Sequence, residues 1–223
     1  LDSEQEALDR MAQRVRLADA PERPTLLDAL GFDLRPVTDE TVLADIRRRM
    51  GHDAGRLERV TEVVHPKLRE RFQGHVRSTW RSRTSLLWHG SRSENWLSIL
   101  EGGLQLHPER AQITGKMFGY GLYFASSFQK SLGYTSARGA VWAGQRSDRG
   151  HLALCEVHLG RSLKVHRHES WCYELNGDAL AKRAALVPYD SLHACAGQML
   201  RHDEYIVYNE AQVLPRYLVE VSA

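Results

Sequence analysis

The sequence predicts an α+β domain built on mostly antiparallel strands with flanking helices. From residue 85 onward, short apolar runs alternate with glycine-rich turns: SLLWH (85–89), GLYFA (121–125), LALCEVHL (152–159), YIVY (205–208) and RYLVEV (216–221). The connections between them are long and irregular, with few of the crossover helices that a doubly wound parallel sheet requires. The two longest helical patterns precede this strand-rich part.

The elements follow in chain order. Ser3 and Glu6 form a capping box ahead of Leu8, Met11 and Val15 at helical spacing, and Pro21 and Pro24 then interrupt the pattern. Residues 1–25 therefore read as a leading helix and linker, and residues 26–223 as the main domain. FDLRPV (32–37) reads as a short strand. Residues 39–50 carry Val42, Leu43 and Ile46 on a basic helix that Gly51 stops. Leu57 to Val64 is β-rich. Pro66 opens a second helix with Leu68, Phe72 and Val76 on one face. Short helices are expected at 93–101 and 126–132.

Composition narrows the function classes. A chain of 223 residues with 42% hydrophobic and 26% charged residues can bury a core without staples. No apolar run is long enough to span a membrane. The first residues, LDSEQEALDR, are unlike a signal peptide. Three cysteines, Cys155, Cys172 and Cys195, are odd in number and widely spaced. They argue against a disulfide framework and for a reducing, intracellular compartment, cytoplasmic or nuclear. Net charge is only +2, yet Arg47 to Arg83 holds 11 Lys+Arg against 4 Asp+Glu. Solvated helix faces explain such an excess, as does a surface that meets polyanions, nucleic acid included.

Several chemistries are excluded by spacing. Gly115-Lys116 is followed by Met117 and lacks the upstream glycine of a phosphate-binding loop. Gly119-Tyr120-Gly121 lacks the third glycine and the helix of a dinucleotide fingerprint. Cys155 and His158 fall on opposite faces of one strand, and His166 and His168 have no second ligand pair, so no metal is expected. None of the cysteines sits in a nucleophile motif.

Four pieces remain: LLWHGSR (86–92), TGKMFGYGLYFA (114–125), KSLGY (130–134) and EYIVYNEAQV (204–213). Singly, each has a plain structural reading: a turn at a strand end, a core tyrosine, a solvated edge carboxylate. Together, in this order and spacing, they resemble the catalytic domain of the poly(ADP-ribose) polymerase family, from about Leu30 to Val221. These are ADP-ribosyltransferases of the diphtheria-toxin-like branch with a His-Tyr-Glu triad. The resemblance implies the ADP-ribosyltransferase fold, two small, mostly antiparallel sheets around a cleft that binds NAD⁺ as co-substrate. Residues 26–223 would then form the catalytic domain.

The resemblance also implies roles. His89, Tyr123 and Glu204 would be the triad. Gly90 and Ser131 would hold the nicotinamide carboxamide, with Tyr123 and Tyr134 sandwiching its ring. Ser91 would lie on the adenosine side with His89. Asn95 would touch ribose or serve the turn. Glu204 would accept a hydrogen bond from the nicotinamide-ribose 2′-hydroxyl and stabilise the positive charge that develops as nicotinamide leaves. Lys130, His202 and Met117 would lie on the acceptor side, Lys130 alternatively pairing with Glu204. Glu210, six residues beyond Glu204, reads as structural.

Two positions depart from the family pattern. His202 stands where polymerase members often carry a tyrosine, and Gln105 follows Gly103-Leu104 where many carry an arginine. The first departure counts against elongation, whereas Glu204 completing the triad is the family's mark of it, so the resemblance implies transfer of ADP-ribose to protein acceptors, itself included, with extension to poly(ADP-ribose). The alternatives are single transfer to nucleic-acid ends, NAD⁺ hydrolysis, or a non-enzymatic NAD⁺ or ADP-ribose binding module. If the chain is complete as it stands, its activity should not need DNA breaks.

Overall fold

The structure, a computed structural model, describes residues 26–107, 117–137 and 147–223. The leading helix and linker expected over residues 1–25, and the Gly115-Lys116 pair, lie outside the described residues.

Among the described residues, nine strands are β1 (Asp33–Pro36), β2 (Leu57–Val64), β3 (Thr84–Gly90), β4 (Leu122–Ala125), β5 (Arg149–His158), β6 (Ser162–Val165), β7 (Ser191–Ala194), β8 (Glu204–Val207) and β9 (Val213–Ser222). They hydrogen-bond in the order β1-β2-β9-β5-β3-β4-β8-β7-β6. Pairing is antiparallel throughout except between β6 and β7.

The two expected sheets are two halves of one ladder. β3 pairs with β5 from Thr84 to Gly90, and β4 pairs with β8 from Leu122 to Ala125. Between β3 and β4 there is one register pair, Trp88 opposite Ala125. Beyond it no register pair joins the two strands, and each continues only its pairing within its own half-sheet.

Local signals account for the helices. Asp39 accepts from the Thr41 N–H at 2.8 Å and starts helix Glu40–Met50, and Gly51, at φ 62°, ends it. Pro66 occupies the first turn of helix Pro66–Ser78, and His65 Nδ1 accepts from the Leu68 N–H at 3.3 Å. Ser93–Asn95 and Trp96–Gly102 divide the expected 93–101 helix into a 3₁₀ turn and an α-helix, and Phe128–Leu132 answers to 126–132. β6, β7 and helix Gly177–Ala181 were not foreseen. They are four or five residues long and lie in a polar, histidine-rich stretch where no periodicity can develop.

β5 reads as a nearly continuous apolar run because both of its faces are covered. Ala153, Cys155 and Val157 face Trp96, Ile99, Phe124 and Val213, under helix Trp96–Gly102. Leu152 and Leu154 face Ile46, Met50, Trp88, Phe128 and Val219, under helices Glu40–Met50 and Phe128–Leu132. A third cluster, with Phe118, Leu175, Leu180, Leu192 and Ile206, fills the side of the second half-sheet.

Trp88 joins the halves through its register with Ala125 and makes an edge-to-face contact with Phe128 at 5.2 Å between ring centroids. Its side chain is fully buried. Trp88→Ala is expected to lower the unfolding free energy by about 3–5 kcal/mol, measured by urea denaturation.

Candidate active site

The joint between β3 and β4 shapes the site. Past the Trp88–Ala125 pair, the Tyr123 carbonyl points toward β3 but has no ladder partner there. The imidazole of His89 takes that place, its Nδ1–H donating to the Tyr123 carbonyl at 3.0 Å. A carbonyl can only accept, so Nδ1 carries the proton and the neutral ring keeps Nε2 as an acceptor. Burial pushes the His89 pKa below its ordinary 6.5, opposed only in part by the bond to Tyr123.

Tyr123 is pinned by its hydroxyl. The O–H donates to the Gly119 carbonyl at 2.8 Å and accepts from the Phe118 N–H at 3.0 Å. With both functions used locally, the residue offers its ring rather than its hydroxyl. The backbone it grips is itself constrained. Gly119 sits at φ 73°, and a Cβ there would overlap the Leu175 backbone. Burial, and next in raising effect the charge of Glu204, lift the Tyr123 phenol above its usual range. Burial and Glu204 raise Tyr134 in the same way.

Glu204 opens β8, opposite Ala125 on β4 and Ala194 on β7. The register sets it on the same face as Tyr123, two residues from Ala125. Lys130 Nζ lies 2.6 Å from Glu204 Oε1, and the two side chains are only 15% and 11% exposed. Lys130 comes from helix Phe128–Leu132, which Ser127 caps by accepting the Lys130 N–H at 3.4 Å. One residue on, the buried Ser131 donates its hydroxyl to the Trp88 carbonyl at 3.2 Å. The Ser131 carbonyl lies so close to Gly90 that a Cβ on Gly90 would overlap it. Gly90 therefore has to be glycine, and its main chain is unshielded by any side chain of its own.

The remaining expected residues fall around this centre. Asn95 Nδ2 donates to Ser91 Oγ at 3.0 Å and makes no side-chain cap for helix Trp96–Gly102. Met117 is partly buried against the third core cluster, and its carbonyl accepts from His168 Nε2 at 2.7 Å. His202 lies in the bend ahead of β8, partly buried. Glu210 Oε1 accepts from the Leu106 N–H at 2.9 Å, a structural tie.

Sequence reasoning missed three supports. Tyr208 donates to the Phe118 carbonyl at 2.7 Å, and Ser136 Oγ accepts from the Ser93 N–H at 2.9 Å. His193 Nε2 lies 3.1 Å from Asp203 Oδ2 and its ring stacks on Tyr205 at 4.4 Å, flanking Glu204. Only Tyr208 had a signal, its even spacing from Glu204. Cys155 and Cys172 are buried with their thiols pushed upward, so neither is an activated nucleophile. Among the described residues no three His, Cys, Asp or Glu side chains converge as metal ligands, and no helix is long and apolar enough to cross a membrane.

Comparison with known proteins bears on this arrangement. Residues 42–223 match the model of the poly(ADP-ribose) polymerase catalytic domain. The chain is 35% identical over 156 residues to poly [ADP-ribose] polymerase 2 of Arabidopsis thaliana, covering 61% of this chain and 24% of that protein. To the Homo sapiens protein of the same name it is 35% identical over 158 residues, covering 61% and 26%. To the poly [ADP-ribose] polymerase-like 100L protein of invertebrate iridescent virus 6 it is 30% identical over 170 residues, covering 74% and 85%. The match thus spans about a quarter of the first two relatives and most of the viral one.

Two outcomes follow from the geometry. Lys130→Met should lower the unfolding free energy by about 3 kcal/mol, and adding Glu204→Gln should recover part of it, because the buried carboxylate no longer lacks a partner. Urea denaturation of the two variants checks this. His89, with its folded pKa depressed, binds fewer protons than in the unfolded chain just below pH 6.5. Its contribution to stability is therefore complete above about pH 6.5 and is lost as pH falls through the window beneath. His75 and His151 are depressed in the same direction. His89→Gln should reduce the slope of stability against pH, measured by denaturation between about pH 5 and 8.

Proposed function

The chain belongs to the poly(ADP-ribose) polymerase catalytic-domain family, and from that premise we propose that it is an NAD⁺-dependent ADP-ribosyltransferase. It cleaves the bond between nicotinamide and ribose and passes ADP-ribose to protein acceptors, itself among them, with extension to poly(ADP-ribose). Residues 26–223 act as the catalytic unit. The observation that carries this reading is the buried Glu204 carboxylate, held by Lys130 at 2.6 Å on the face that also bears Tyr123.

The residues present suit NAD⁺. Gly90 lacks the Cβ that would fill the space against Ser131, so its N–H and C=O suit a carboxamide, with the Ser131 hydroxyl beside them. Tyr123 offers a ring whose hydroxyl is already engaged, and the half-buried Tyr134 supplies a second ring within reach of the Glu204 charge. Aromatic contacts of this kind contribute about 0.5–1.5 kcal/mol each beyond burial. The Nε2 of neutral His89 suits a ribose hydroxyl on the adenosine side, where Ser91 and Asn95 stand together.

Each residue then has a task. Glu204 accepts a hydrogen bond from the nicotinamide-ribose 2′-hydroxyl and stabilises the positive charge that grows at the reacting carbon. Lys130 holds the Glu204 carboxylate in place and faces the acceptor side with Met117 and His202. His89 orients the dinucleotide. An intracellular placement belongs to the same reading, supported by three cysteines outside any disulfide.

A nucleic-acid partner is a second reading, attached to segment 47–83. Its first part is spoken for: Arg47 pairs with Glu40, Arg48 and Arg49 with Asp45, Arg56 with Asp53, and Arg59 with Glu220. The second part favours it. Arg69 and Arg77 line a groove of about 330 Å³ in which Arg216 is already held by Glu156 at 2.8 Å. Trp80 nearby in sequence is 82% exposed, and aromatic platforms of this kind stack unpaired bases. Anisotropy of a labelled single-stranded oligonucleotide should show binding that falls steeply with ionic strength if phosphates are contacted.

The deciding experiment uses NAD⁺ labelled on the adenylate phosphate, with Glu204→Gln alongside. Wild-type protein should become labelled, a high-mass smear on a denaturing gel reporting polymer and a sharp band single transfer. Glu204→Gln should reduce transfer by about 10²-fold or more. Unchanged nicotinamide release in that variant would remove Glu204 from its role. Release without label on protein would favour hydrolysis, and no release would favour a binding module.

A further inference from the structure

The two ends of the sheet are finished differently. β1 closes one end with Pro36, which has no N–H, and Asp33 Oδ1 accepts the Leu34 N–H at 2.8 Å. Both features blunt an open edge. β6 closes the other end and has neither. The Cys195 N–H donates to the Val165 carbonyl and the Asp190 N–H to the Arg161 carbonyl, each at 2.8 Å. The odd-numbered residues thus turn their main chain toward β7. Alternation directs the N–H and C=O of Ser162 and Lys164 outward, where no described strand pairs with them.

A groove of about 380 Å³ follows this edge. Residues 163–167 all line it, and consecutive residues of both parities share one groove along a strand's edge rather than on a face. Its other side is Trp171, with the Arg183 guanidinium carbon 3.3 Å from the ring centroid. Lys164, Arg167 and Arg183 bring three cations. Glu169, the carboxylate among the lining residues, accepts from Trp171 Nε1 at 2.8 Å. A lone lysine would only discourage edge pairing. Three cations around a groove beside outward main-chain groups select an extended, anionic chain.

We propose that the β6 edge docks an extended acidic segment of a partner protein, which joins the sheet as a further strand. The outward N–H and C=O groups supply main-chain bonds, and Lys164, Arg167 and Arg183 read the carboxylates. About 10 Å, two strand spacings, separates β6 from β8, the strand that Glu204 opens. A docked protein is thereby held beside the candidate active site. That last step rests on the transferase reading, whereas the docking does not.

The test is fluorescence anisotropy of a fluorescein-labelled peptide of alternating glutamate and valine, added to the full chain. The unmodified peptide should bind. N-methylation of its backbone at alternate residues should weaken binding at least tenfold in the one register whose N–H groups face β6 and less in the other, and lysine in place of glutamate should also cost at least tenfold. Lys164→Pro, which removes an outward N–H where an edge strand tolerates proline, should do the same, and Lys164→Gln should cost less. The N-methylated peptides probe the unaltered chain, so a variant that fails to fold leaves the test intact. Affinity unchanged by N-methylation in either register would overturn strand addition. Displacement of the peptide by a tighter-binding single-stranded oligonucleotide would overturn the protein assignment. Nicotinamide release, followed in parallel, should be unchanged in Lys164→Pro. Peptide binding with no nicotinamide release would uphold the dock while removing the transferase reading, and release without peptide binding would do the reverse.

Discussion

The single-residue joint between β3 and β4 is the constraint on which the candidate site depends. Trp88 and Ala125 form the one register pair that connects two half-sheets, each with its own ladder, over a core cluster that the two share. Had the pairing continued, the Tyr123 carbonyl would have bonded to β3 and the space beside it would have closed. Because the strands part, a side chain has to satisfy that carbonyl, and His89 does so. An unpaired buried carbonyl would cost about 1–3 kcal/mol. One bond therefore satisfies the backbone and fixes the tautomer of the ring.

The same parting makes room for a buried ion pair. A carboxylate that is only 11% exposed needs a partner, and Lys130 provides one from a helix of five residues. So short a helix has little stability of its own. It is held by Phe128 against Trp88 and by Ser131 on the Trp88 carbonyl. The residues that fasten the helix therefore also set the position of Lys130, and through it the carboxylate. Gly90 completes the arrangement, since any side chain there would push the Ser131 backbone away.

The ends of the sheet show how the same backbone chemistry serves opposite purposes. Pro36 and the Asp33 side chain remove donors from one edge. The other edge keeps its outward groups and is bordered by cations and Trp171. The first arrangement discourages association of strands, and the second is compatible with a chosen partner.

Much of the fold was legible in the sequence where a local signal exists. Asp39, Gly51 and Pro66 mark helix ends by their own backbone chemistry, and β5 announces itself by an apolar run covered on both faces. The ordered motifs around His89, Tyr123, Lys130 and Glu204 were visible as motifs, and resemblance gave them roles. β6 and β7 were not visible, because four polar-rich residues take strand form only when a neighbour supplies hydrogen bonds. The Lys130–Glu204 contact stood only as one of two options. The Trp88–Ala125 joint, the bond from His89 to Tyr123 and the open β6 edge had no signal at all. A sequence determines which residues can cap, pair or turn within a few positions of themselves. Which carbonyl is left without a partner, and which side chain arrives to take it, is decided only when distant strands meet in register.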